Sequence, residues 1–259
     1  MNRESSFVEV NGVRLHYLSL ETERSQPIVF IHGFTDNAAC HQPLVNAVAD
    51  LAAPVAYDVR GHGLSDAVCG YSPETLATDC SRLCQSLFDQ PPVLYGHSLG
   101  AEIAARAAAD IQVAGLVLED PPAALVNRQD FDRRTEEVLA DLRNWRTRPH
   151  DAIEREYNKS DPRFANALAT ARKQLRPEVV RICRWKYTPL EALVRNIDIQ
   201  TLVLRPDPAV VEYLDERTGL EEPHVRVEYI DGAGHTVARD EYHAVVTHLR
   251  EFLKSVRHS

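Results

Sequence analysis

With 259 residues, 44% of them hydrophobic and 26% charged, the chain is long enough for one sizeable core and is neither disordered nor fibrous in composition. A formal net charge of −9 and the lack of any long Lys/Arg run argue against nucleic acid and anionic membrane surfaces as partners, because phosphate binding needs a basic face. No apolar stretch approaches the roughly 20 residues of a membrane-spanning helix, and the polar opening Met1-Asn2-Arg3-Glu4-Ser5-Ser6 has no secretory apolar core, so the expected address is the cytoplasm.

In chain order, the first expected element is an antiparallel pair, residues 7–10 and 13–19, joined at Asn11-Gly12, a strong two-residue hairpin signal. Short apolar runs then recur at 27–31, 55–57, 93–95, 115–118, 201–204 and 225–230, with helical segments between most of them. That alternation predicts an α/β fold: a mostly parallel sheet covered by helices on both faces. Leu76, Cys80, Leu83, Cys84, Leu87 and Phe88 form one apolar helical stripe, and Tyr242, Val245, Val246, Leu249, Phe252, Leu253 and Val256 form another. Between Pro122 and about Arg195 the strands stop, and a charged segment punctuated by Pro149, Pro162, Pro177 and Pro189 is too long for a loop. The chain therefore divides into a first core part (1–122), a helical insertion (123–195) and a second core part (196–259). Its five cysteines, an odd set without Cys-x-x-Cys spacing, fit reduced thiols; no metal site is expected.

The chemistry-bearing stretch is Gly96-His97-Ser98-Leu99-Gly100, which follows an apolar strand and precedes the helix-forming run 101–109. Glycines on either side of a serine at such a turn let the helix pack close and leave the hydroxyl exposed, so Ser98 is the expected nucleophile. A chance Gly-x-Ser-x-Gly in a loop is the bland alternative, and the strand and helix around it argue against that. Upstream, Ile31-His32-Gly33-Phe34 ends another strand, where the amides of Phe34 and Leu99 would form an oxyanion hole. His32 suits a turn-stabilising hydrogen bond better than general-base work. The base is expected at His235, in the glycine-bracketed loop Gly232-Ala233-Gly234-His235 after the last strand, whereas His243 and His248 lie on a solvated helix.

Together these residues resemble the α/β-hydrolase family over nearly the entire chain. The motifs that carry the resemblance are Ile31-His32-Gly33-Phe34, Asp58-Val59-Arg60-Gly61-His62-Gly63-Leu64-Ser65-Asp66, the turn at Ser98, and Gly232-Ala233-Gly234-His235. The resemblance implies a structural loop at 58–66 and an acid that orients the histidine. In most relatives that acid follows the penultimate strand, but here the stretch reads Leu204-Arg205-Pro206-Asp207-Pro208-Ala209, with Asp207 displaced from the usual position. A smaller group, similar to haloalkane dehalogenases and some lactonases, places it after the strand that follows the nucleophile helix. In this chain that position falls on Asp120, with Glu119 its neighbour; Asp120 is the first choice, and Asp207 and Glu119 are the alternatives.

The insertion resembles the helical cap that many family members carry over the site. Trp145, Tyr157, Trp185 and Tyr187 are its large aromatics, and Trp145, Trp185, Tyr187 and His41 are expected around the substrate pocket. The activity implied is cleavage of a small, largely apolar ester or lactone through an acyl-enzyme, with a small molecule as partner and without metal or organic cofactor. A serine where dehalogenases and epoxide hydrolases carry aspartate argues against alkyl-enzyme chemistry. Two alternatives stand beside this reading: carbon–carbon bond hydrolysis with the same residues, and a ligand-binding receptor that kept the scaffold.

Overall fold

The computed structural model describes residues 3–122, 128–159, 161–195, 197–214, 220 and 222–256; the expected start of the insertion at Ala123 lies outside the described residues. Strands β1 (Arg3–Val10) and β2 (Val13–Leu20) pair antiparallel across a turn in which Asn11 and Gly12 both take positive φ, 48° and 70°. Two such residues in succession match the twist of the flanking strands, the physical basis of the Asn-Gly signal. The sheet continues with β3 (Pro27–Ile31), β4 (Ala53–Tyr57), β5 (Val93–His97), β6 (Gly115–Glu119), β7 (Thr201–Arg205) and β8 (Val225–Tyr229).

Its strand order is β1-β2-β4-β3-β5-β6-β7-β8. From β4 to β8 every pairing is parallel, and β2 joins β4 antiparallel. Because β3 lies between β4 and β5, the chain reverses its winding there, and a crevice opens at the carboxyl ends of β3 and β5. The inner strands β3, β5 and β6 are buried along their whole length, which explains why they read as unbroken apolar runs.

Helices cover both faces: α1 (Gln42–Val48), α2 (Pro73–Leu87), α3 (Leu99–Asp110), α4 (Arg128–Thr147), α5 (His150–Tyr157), α6 (Pro162–Gln174), α7 (Leu190–Val194), α8 (Val237–Asp240) and α9 (Tyr242–Ser255), with a 3-10 helix over Pro177–Arg184. Ser72 starts α2 by accepting the Thr75 N–H at 3.1 Å, Pro73 takes the first turn, and the predicted stripe of Leu76, Cys80, Leu83 and Cys84 is buried. On the opposite face α9 buries Val245, Leu249, Phe252 and Leu253, and Phe252 packs where Gly115 leaves no room for a Cβ. Neither α1 nor the short 3-10 turn before it (Ala38–His41) has a counterpart among the predicted elements.

Between β6 and β7 the described residues are helical. Asp161 caps α6 through the Arg163 N–H at 2.8 Å, and the 3-10 helix buries Val179, Ile182 and Cys183. This segment sits on the 58–66 loop, where Arg176 N donates to Gly61 O. That loop is held from within: Asp58 accepts from Ala38 N, Leu64 N and His16 Nδ1 at 2.7–2.8 Å. Arg60, 2% exposed, makes a bidentate pair with Asp79 at 2.6 and 2.7 Å. No helix among the described residues is long and apolar enough to cross a membrane.

Candidate active site

Ser98 ends β5 and caps α3 with φ 51° and ψ −113°. A non-glycine residue at positive φ costs on the order of 1–3 kcal/mol and persists only where its surroundings force it. Here they do: Ser98 N donates to Glu119 O at 2.8 Å. A Cβ on Gly100 would collide with the Ile31 carbonyl, and one on Gly96 with the Gly100 carbonyl. The glycines thus let α3 settle against the end of β3. The Ser98 side chain does not cap its own helix, and among the described residues its hydroxyl forms no hydrogen bond.

The amides of Phe34 and Leu99, predicted to hold an oxyanion, lie at the carboxyl end of β3 and the start of α3, and neither N–H has a hydrogen-bond acceptor among the described residues. The turn carrying Phe34 is fixed by histidines. His32 lies between Gly33 O at Nδ1 (2.8 Å) and the Val59 N–H at Nε2 (3.0 Å), the bonding expected of a turn stabiliser, and His62 Nε2 contacts Phe34 O.

His235 meets Asp120: Nδ1 lies 2.6 Å from Oδ2. A neutral imidazole then carries its proton on Nδ1 and keeps a lone pair on Nε2. Asp120 is 1% exposed and takes φ 36°, so the expected nucleophile Ser98 and the carboxylate beside the histidine are both strained backbone positions at the ends of adjacent strands. The same Oδ2 accepts the hydroxyl of Tyr213, whose phenol is pushed up by burial and then by Asp120. Arg205 Nη1 lies 3.3 Å from Oδ1, at ion-pair distance but without hydrogen-bond alignment. The imidazole of His235 lies beside the Ser98 turn, its ring centroid 5.2 Å from that of His97, and His97 Nε2 bonds His235 O at 3.1 Å. Its side chain is 47% exposed.

The alternative acids are placed elsewhere. Glu119 points into the sheet, accepting from Tyr95 Oη at 2.6 Å and Ala238 N at 2.7 Å; burial pushes its carboxyl up. Asp207 accepts from Ala209 N and Gly232 N, both at 3.0 Å, and so braces the histidine loop from its backbone side. Two pocket expectations also need correction. His41 packs beneath the sheet against Phe30 and Tyr95, because the unforeseen turn Ala38–His41 folds it into the core. Trp185 is 5% exposed and donates from Nε1 to Tyr71 O, so it anchors the helical segment to the core. Tyr187 is buried beside Arg134, and Trp145 stacks on Arg172, whose Cζ is 5.1 Å from its ring centroid. A cavity of about 650 Å³ lies between α6 and the 232–240 loop, lined by Tyr157, Phe164, Arg172, Gly232, Thr236 and Arg239; it flanks the site without including Ser98 or His235.

Sequence reasoning missed the buried carboxylate behind the oxyanion turn. Asp36, 4% exposed, binds Arg172 of α6 at 3.1 Å and Arg239 of α8, while Arg172 also donates to Thr35 O. Burial pushes the Asp36 carboxyl up, but Arg239 and then Arg172 outweigh it and hold it well below the carboxylate range. His97 was in view inside the glycine-bracketed motif, yet only its bond to the His235 backbone gives it a task. No group of three or more His, Cys, Asp or Glu among the described residues is arranged to hold a metal.

Buried histidines around this site make stability depend on pH. Burial lowers His41 and His97 to about 3 and His62 to about 4, with His235 adding to the effect at His97 and His32 at His62. The unfolded chain takes up these protons near the ordinary value of 6.5 and the folded chain only near 3–4. Their contribution is therefore complete above pH 6.5 and is lost as pH falls towards the folded values, by up to about 1.4 kcal/mol per unit for each ring. Thermal unfolding followed from pH 7.5 to 5 is expected to show a Tm that falls increasingly as the pH drops through 6.5. A flat profile over that window would contradict the burial of these rings.

Residues 28–248 match the model of the alpha/beta hydrolase family. A stretch of 94 residues is 39% identical to 2-(acetamidomethylene)succinate hydrolase of Mesorhizobium japonicum, covering 36% of this chain and 34% of that protein, about a third of its length. N-formylmaleamate deformylase of Pseudomonas putida is 26% identical over 95% of each chain. In fold, the chain is similar to the crystal structure of the enol-lactonase from Burkholderia xenovorans, with a TM-score of 0.74 and 20% identity over 96% of this chain and 100% of the other.

Proposed function

The chain belongs to the alpha/beta hydrolase family, and on that premise we propose that it cleaves a small carboxylic ester or lactone through an acyl-enzyme on Ser98. The observation that carries this reading is the 2.6 Å bond between His235 and Asp120, set beside a serine hydroxyl that is committed to nothing else. His235 Nε2 swings onto Ser98 Oγ and takes its proton as the oxygen attacks the substrate carbonyl; such contacts tighten when substrate binds. The amides of Phe34 and Leu99 hold the oxyanion, each worth about 3–4 kcal/mol in the transition state. The alcohol departs with the proton from His235, and water deprotonated by the same ring releases the acid and restores Ser98. Asp120 fixes the tautomer and stabilises the imidazolium, with Tyr213 and Arg205 keeping its carboxylate in place.

The helical segment between β6 and β7 acts in this reading as a cap, residues 123–195, closing over an otherwise open crevice. Phe34, only partly buried beside the oxyanion turn, suits the apolar part of a substrate. The test is covalent labelling with a fluorophosphonate probe followed by peptide mapping. Labelling is expected at Ser98 and lost in Ser98→Ala; a folded protein that takes no label there would point to a ligand-binding scaffold instead. A panel of esters and lactones, with product analysis, then separates the two substrate classes and tests carbon–carbon cleavage on a diketone.

A further inference from the structure

Arginines around the site are matched with carboxylates. Arg172 and Arg239 share Asp36, Arg205 faces Asp120, and Arg106 binds Glu102. Arg134, on α4 of the helical segment, differs: among the described residues no carboxylate stands at ion-pair distance from it. Its guanidinium lies between two aromatic rings, 5.4 Å from the centroid of Phe34 and 5.5 Å from that of Tyr187. One nitrogen donates to Tyr187 Oη at a long 3.4 Å. Stacking satisfies the faces of the guanidinium and leaves most of its in-plane N–H donors without an acceptor among the described residues.

Phe34 is also the residue whose backbone N–H is the expected oxyanion donor. The ring beside Arg134 and the amide that would hold the reacting oxygen therefore belong to one residue, which puts a planar, permanently charged donor within one side chain's reach of the reacting carbonyl. Two aromatic rings, their centroids within 5.5 Å of the Arg134 Cζ, restrict the fork, which suits bidentate pairing with a carboxylate.

We infer that Arg134 binds a carboxylate carried by the substrate, so that the preferred substrate is a monoester or lactone of a dicarboxylic acid in which an apolar chain separates the cleaved carbonyl from the free carboxylate. The inference rests on the serine hydrolase reading above and names the substrate class of that same site.

A matched pair of esters tests it: 4-nitrophenyl pentanoate and mono(4-nitrophenyl) glutarate, which differ by a terminal carboxylate, with the background rate taken from Ser98→Ala. The intact protein is expected to favour the glutarate ester by about 10- to 100-fold in kcat/KM, mostly through KM, as one charge-assisted pair would give. In Arg134→Gln that ratio collapses towards one, and Arg134→Lys, which keeps the charge but not the fork, restores part of it. As a second readout, glutarate should slow fluorophosphonate labelling of Ser98 in the intact protein and not in Arg134→Gln. A labelled Ser98 combined with no preference for the glutarate ester, or with equal losses on both esters in Arg134→Gln, overturns the inference and leaves the hydrolase reading standing. An unlabelled Ser98 overturns both.

Discussion

Replacing Asp120 with asparagine is expected to lower kcat by about 10⁴ while the protein stays folded. Oδ2 of Asp120 lies 2.6 Å from His235 Nδ1, and it is the carboxylate that fixes which nitrogen carries the proton. An amide keeps the shape but offers an N–H2 group as readily as an oxygen, so the imidazole turns its protonated nitrogen towards Ser98 and can no longer act as base. Asp207→Asn and Glu119→Gln serve as the comparison. Asp207 accepts two backbone N–H groups, and Glu119 accepts from Tyr95 and Ala238; neither touches the imidazole. Each should therefore reduce turnover by less than tenfold, with its main effect on stability. Steady-state kinetics with thermal unfolding on the three variants decides the matter. If Asp207→Asn is the inactive one, the acid assignment falls.

Asp36→Asn is expected to destabilise the fold by about 3–5 kcal/mol, since removing one charge from a buried cluster strands the others. Asp36 holds Arg172, 6% exposed, and the largely covered Arg239. With the carboxylate gone, two guanidiniums face each other beside the oxyanion turn. Denaturant titration should register the loss, and a second substitution, Arg239→Gln, should recover part of it by removing one of the stranded charges. A loss below about 1 kcal/mol would mean that water screens the cluster as it does a surface pair. Because Arg172 belongs to α6 and Asp36 follows β3, the same variant should also loosen the helical segment, raising its amide hydrogen exchange relative to the sheet.

What the sequence disclosed and what it withheld follow from the range of the interactions. The hairpin at Asn11-Gly12 and the turn at Ser98 are written in neighbouring residues, each needing a backbone conformation that only certain side chains permit, so both were readable. The choice between Asp120 and Asp207 was ranked there, with Asp120 first, but not fixed, because it depends on which strand end faces the histidine loop; the sheet order, with β6 beside β5 and β7 one place further out, brings Asp120 to the histidine. The Asp36 cluster joins residues 136 and 203 positions apart and leaves no local pattern. His41 went astray for a related reason: nothing in its surroundings signalled the short turn that sends it under the sheet. Tyr213 and Arg134 carry no motif at all, and their importance comes from what they touch.

Directly after Asp120 the chain passes through Pro121 and Pro122 before reaching the helices. Proline rings fix φ and carry no N–H to donate, so the chain leaves the carboxylate end of β6 along a restricted path. A foreign helical insert spliced in after Pro122 should therefore keep the breaking of the bond intact where it also carries an arginine at the place of Arg172, because Asp36 beside the oxyanion turn would otherwise lose a partner.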